Sequence, residues 1–125
     1  MNTRFRAILS LAIGISIGGC RSSDALCPAI LENAISLTVV DSVSGGVPAA
    51  VSTIVASNGA YTETVTNSSG NPMNNVYFIG FGRSGTFSIV ARTPGYADWS
   101  TSGVQVTANS CGVPQPVNLM ARLQR

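Results

Sequence analysis

From residue 34 to the C-terminus, apolar and polar positions alternate in short runs, and clusters of Gly, Asn, Ser and Pro separate the runs. Alternation with a period of two places one set of side chains on each face of an extended chain, which is the mark of a half-buried strand. Ile35, Leu37 and Val39 alternate with Ser36 and Thr38 and predict a first strand ending near Asp41. A second strand is expected over 47–56, entered through Pro48, and a third over 61–66, where threonines alternate with Tyr61, Glu63 and Val65. Asn58-Gly59 between them suits a type I′ hairpin turn, because both residues tolerate positive φ. The stretch 67–75 is too rich in breakers for any element and is read as a loop. Strands are expected again over 75–81 and 85–92, the second having Phe87, Ile89 and Ala91 on one face. A short edge-like stretch comes next over 96–99, then alternation at Val104 and Val106, and a last strand carries Val117, Leu119, Ala121 and Leu123 on one face.

No segment after residue 34 keeps a helical period. Seven or eight short strands at this spacing predict an all-β antiparallel sandwich of Ig-like layout, both sheets feeding one core. That domain spans 34–125.

The first 33 residues obey different rules. Arg4 and Arg6 precede an apolar run over 7–19 that ends in Ile17-Gly18-Gly19, with Cys20 next. A basic start, a short apolar stretch and a small-residue exit make a secretory signal, and the run is too short for a spanning helix. The tetrad Ile17-Gly18-Gly19-Cys20 resembles the bacterial lipobox. That resemblance implies cleavage before Cys20 and a diacylglycerol with a further acyl chain such as palmitate on the mature cysteine. The signal peptide is then 1–19 and a lipidated tether 20–33. An ordinary signal cut after Gly18-Gly19 is the other reading, and it needs no cysteine at that place. Two acyl chains hold a protein stably at a membrane where one does so marginally. Arg21, standing where an aspartate would signal inner-membrane retention, leans the expected location within the bacterial cell envelope towards the outer membrane.

With Cys20 carrying lipid, Cys27 and Cys111 remain as a pair in an oxidising compartment. A bridge between them would close a loop of roughly 85 residues and contribute on the order of 4 kcal/mol in the chain-entropy model. Metal binding by the pair is disfavoured because the chain has no histidine.

Charge changes the picture only by exclusion. The chain has 7 basic residues and 5 acidic ones; all the basic ones are arginines, and two of them precede residue 7. Beyond Cys20 the charges are balanced, which argues against a nucleic-acid partner.

The strings Gly59-Ala60-Tyr61-Thr62-Glu63-Thr64 and Gly85-Thr86-Phe87-Ser88-Ile89, the turn Pro94-Gly95-Tyr96, Trp99 before Ser102-Gly103-Val104-Gln105-Val106, and Cys111 ahead of the last strand carry a resemblance. Together they resemble the carboxypeptidase regulatory-like domains of bacterial envelope proteins. The resemblance implies a transthyretin-like β-sandwich that serves as a non-catalytic accessory or binding module.

Gly80-Phe81-Gly82-Arg83-Ser84-Gly85 spells GxGxxG, but a dinucleotide site needs a helix after the glycines and a strand is expected there. The segment reads better as a hairpin connection with Arg83 and Ser84 at its tip. With neither histidine nor lysine in the chain, no Ser-His or Ser-Lys pair can form. The transthyretin-related hydrolases rely on histidines and a Tyr-Arg-Gly-Ser tail, and this chain ends Ala121-Arg122-Leu123-Gln124-Arg125. No catalytic residue, metal or cofactor is assigned. Tyr96, Asp98 and Trp99 beside one turn are the candidate binding residues, for a glycan or an envelope protein. The alternative reading of each ring is packing, Tyr96 under the Pro94-Gly95 turn and Trp99 over a sheet edge. The expected function is a non-enzymatic, membrane-tethered interaction or structural module, with a carbohydrate-binding or enzymatic surface lipoprotein as the alternative.

Overall fold

The computed structural model describes residues 26–66 and 75–125. The expected signal peptide, Cys20 and most of the 67–75 loop lie outside the described residues. Among the described residues seven strands run in order: β1 (Ile35–Asp41), β2 (Thr53–Asn58), β3 (Tyr61–Thr66), β4 (Val76–Ile79), β5 (Gly85–Arg92), β6 (Trp99–Val106) and β7 (Val117–Leu123). They form a three-stranded sheet in the order β4-β1-β7 and a four-stranded sheet in the order β3-β2-β5-β6. No helix is present among the described residues. The protein is an all-β sandwich.

The core obeys the alternation. Ile35, Leu37, Val39, Ile79, Ala121 and Leu123 from the first sheet meet Ile54, Ala56, Phe87, Ile89 and Ala91 from the second, all essentially without solvent contact. Tyr77 and Val106 close the same cluster. Each is an every-second residue on its strand, as the register requires; Val40, of the opposite parity, is also buried near the end of β1.

Several details depart from the sequence expectation. The sandwich is not wholly antiparallel: β1 and β7 run parallel, from Ile35 opposite Val117 to Asp41 opposite Leu123. First and last strands share no hairpin, so nothing local forces them to oppose. The second strand starts at Thr53 rather than at 47, because Thr53 is where the chain first finds neighbours, Arg92 on β5 and Thr66 on β3. The stretch 96–99 is not a separate edge strand; Trp99 opens β6, whose register shifts opposite Phe87 and Ile89. The β2–β3 turn is centred on Gly59-Ala60, with Asn58 paired to Tyr61. Only Gly59 has positive φ, at 61°, which is the type II′ pattern and not the I′ pattern expected for Asn58-Gly59.

The GxGxxG segment is also no hairpin. β4 ends in one sheet and β5 begins in the other, so this connection crosses the end of the sandwich. Gly80 makes the crossing possible. Its φ is +71°, and a Cβ there would lie 2.9 Å from both Ala34 Cβ and Phe87 Cζ. The chain passes against the core where no other residue fits.

Candidate functional site

The two ends of the sandwich differ in chemistry. At one end stand the β2–β3 turn, the β4–β5 crossing, the segment 26–34 and the loop 107–116. The other end gathers the β1–β2 connection, the turn before β6 and the C-terminus.

At the second end, strand parity places a carboxylate in the core register. Ile35, Leu37 and Val39 face inward, so the next position of that parity, Asp41, also faces inward, 6% exposed. An inward carboxylate needs donors, and the local fold supplies them. The amides of Val43 and Ser44 donate to Asp41 Oδ1 at 2.8 and 3.0 Å. The Tyr96 hydroxyl donates to Oδ2 at 2.6 Å, and Arg125 Nη2 reaches the same oxygen at 3.4 Å. The same guanidinium lies 3.3 Å from the Tyr96 oxygen. Foremost the Tyr96 hydrogen bond, then the two amides, hold the Asp41 carboxyl at a pKa of about 2, against the mild opposing effect of burial; the Arg125 charge adds to the lowering. Beside it, Ser52 and Thr93 share a buried hydroxyl contact at 2.5 Å, and the Ser52 amide donates to the Tyr77 hydroxyl. Among the described residues no buried side-chain polar atom lacks a partner.

This arrangement suits fixing the chain rather than moving protons. A carboxylate with pKa about 2, both oxygens occupied, is a poor general acid or base near neutral pH. The network instead ties β1, the Tyr96 turn and the C-terminus together. Sequence reasoning misses Asp41 and Arg125. The available signal is parity: Asp41 continues Ile35, Leu37 and Val39, and Arg125 is one alternation beyond Leu123, the register partner of Asp41.

The three candidate binding residues have different partners. Tyr96 is half-buried with its hydroxyl committed to Asp41. Asp98 is exposed and paired with Arg92 at 3.2 Å. Trp99 is partly buried against the core cluster.

The first end is closed covalently. Cys27 and Cys111 are bridged, with Cα atoms 5.4 Å apart and a sequence separation of 84. The bridge ties the segment ahead of β1 to the loop ahead of β7. A shallow depression of about 450 Å³ lies beside it, lined among others by Pro28, Ile30, Cys111, Val113, Pro114 and Pro116. The Gly82 amide donates to the Glu32 carbonyl, which lays the β4–β5 crossing along the N-terminal segment. From this crossing Arg83 stacks over the ring of Tyr61 on the neighbouring β2–β3 hairpin, its Cζ 3.4 Å from the centroid. Glu63 accepts from the Tyr61 hydroxyl and the Gly80 amide. Exposed apolar side chains crowd this end: Leu26 (94% exposed), Leu31 (71%), Ile30 and Phe81.

Among the described residues, no three His, Cys, Asp or Glu stand close enough to hold a metal ion, and no helix is long and apolar enough to cross a membrane. The fold defines the chain as a disulfide-bridged all-β sandwich. Comparison with protein-family models, with curated proteins and with solved structures finds no match.

Proposed function

We propose that this chain is a bacterial cell-envelope lipoprotein, anchored through lipid on Cys20, whose sandwich serves as a non-catalytic interaction or structural module. The observation that carries the reading is the Cys27–Cys111 bridge. It uses two of the chain's 3 cysteines and leaves Cys20 no partner in the same chain. That odd cysteine comes directly after Gly18-Gly19 at the end of a basic-then-apolar leader, where a lipobox places its acylated thiol. An intrachain bridge also fits an oxidising compartment. The sequence resemblance to the transthyretin-like regulatory domains, whose role is accessory, implies a two-sheet all-β architecture of this kind.

The non-catalytic part rests on the chemistry at hand. Asp41, the buried acid among the described residues, is locked by four donors. Growth of a bacterial host expressing the chain with an alkyne-bearing fatty acid tests the anchor. Wild-type protein is expected to take up the label and sediment with membranes, and Cys20→Ser to lose the label and appear in the soluble fraction. Unlabelled wild-type protein in the soluble fraction would refute the reading.

A further inference from the structure

We infer that the disulfide-bridged end of the sandwich lies against the bilayer, with Leu26, Ile30, Leu31 and Phe81 entering the lipid interface and Arg83 at headgroup level. The inference rests on the lipoprotein reading and adds an orientation and a contact surface to it. Two independent observations carry it.

The first is chain length. Residues 21–26 alone separate Cys20 from Cys27, and Cys27 is fastened to Cys111. At 3.3–3.6 Å per residue, seven steps reach at most roughly 25 Å. The acylated end of the chain therefore cannot pass far from this end of the domain.

The second is what this end presents. Leu26 and Leu31 are largely exposed, and Ile30 and Phe81 about half exposed. A methyl of Leu31 lies close to Gly82, the residue after Phe81, so the N-terminal segment and the β4–β5 crossing form one apolar rim. Ile30 continues that rim into the depression beside the bridge. Arg83, stacked on Tyr61, gives the rim an amphipathic edge of the kind that sits between acyl chains and water. The acids near it, Glu32 and Glu63, are part-buried, and Glu63 accepts the Gly80 amide and the Tyr61 hydroxyl. Binding at this face is therefore driven by apolar area and is insensitive to salt.

The opposite end also exposes apolar residues, with Val43 92% exposed, but it carries the exposed charges of Arg92, Asp98 and Arg125. It is the control surface.

The test uses the full chain, processed in a bacterial host and reconstituted into phosphatidylethanolamine–phosphatidylglycerol vesicles containing phospholipid brominated in its acyl chains. In a Trp99→Phe background, a Phe81→Trp reporter is compared with a Val43→Trp reporter, and intact mass establishes acylation of each sample. Acylated protein with the Phe81→Trp fluorescence quenched several-fold more than that of Val43→Trp is the expected result. Adding Leu31→Asp to the first reporter should abolish most of that difference. Acylated protein with equal quenching, or none at either reporter, would overturn the orientation while leaving the anchor standing. An unacylated mass would overturn the anchor and the orientation with it.

Discussion

The Cys27–Cys111 end and the Asp41 end close the same sandwich by opposite means. At the first, a covalent bond replaces the packing that exposed Leu26, Ile30 and Leu31 do not provide. At the second, a buried carboxylate accepts from Tyr96, two backbone amides and Arg125, and two buried hydroxyls pair with each other. A covalent closure tolerates an apolar, unpaired surface around it. A polar closure does not, because each buried oxygen left without a donor costs free energy. The end that needs no self-contained packing is the one free to serve as a contact surface.

The largest loss of stability is expected at the bridge. Reducing it, or replacing both cysteines by serine, should lower the melting temperature by roughly 20 °C, as expected for a loss on the order of 4 kcal/mol in a domain of this size. Calorimetry on reduced and oxidised protein checks this, and coincident curves after verified reduction would contradict it. Gly80→Ala should come next, at about 2–4 kcal/mol, because it adds a clash with Ala34 and Phe87 to a backbone conformation that alanine resists. Chemical denaturation measures that cost.

At the carboxylate end the effects depend on pH. The folded pKa of Asp41, about 2, lies below its ordinary value of 3.8. The unfolded chain therefore binds more protons between these values. The stability lent by Asp41 is complete above about pH 4 and is lost as the pH falls to about 2. Tyr96→Phe removes the largest cause of the shift. It should move the Asp41 titration, tracked by carboxyl NMR, up towards 3.8 and flatten the acid limb of the stability curve. An unmoved titration would show that the two amides suffice. The smallest effect belongs to the exposed Arg92–Asp98 pair, where Asp98→Asn should change stability by no more than about 0.5 kcal/mol.

Much of the sandwich is legible in the alternation itself. β3 and β5 have the bounds the pattern predicts, and the inward faces of β1 and β7 are the residues that alternation selects. The pairing of the strands is not legible. Nothing local tells that β1 meets β7 in parallel, or that the segment after Gly80 crosses between sheets, because both depend on contacts remote in sequence. The cysteine pair is readable by arithmetic once Cys20 is set aside. The carboxylate network is half-readable: parity turns Asp41 inward, but its meeting with Tyr96, 55 residues on, is a tertiary fact. Tyr96, Asp98 and Trp99 are neighbours in sequence, yet a turn leading into a strand sends their side chains to different surroundings.

On the proposed reading one end of the domain is both bridged and anchored. Intact mass of the protein taken from a bacterial membrane fraction, before and after reduction, tests both at once. The account predicts a chain beginning at Cys20 that bears acyl groups and gains two hydrogens on reduction. A membrane-free chain with no acyl mass, or one whose mass is unchanged by reduction, would contradict it.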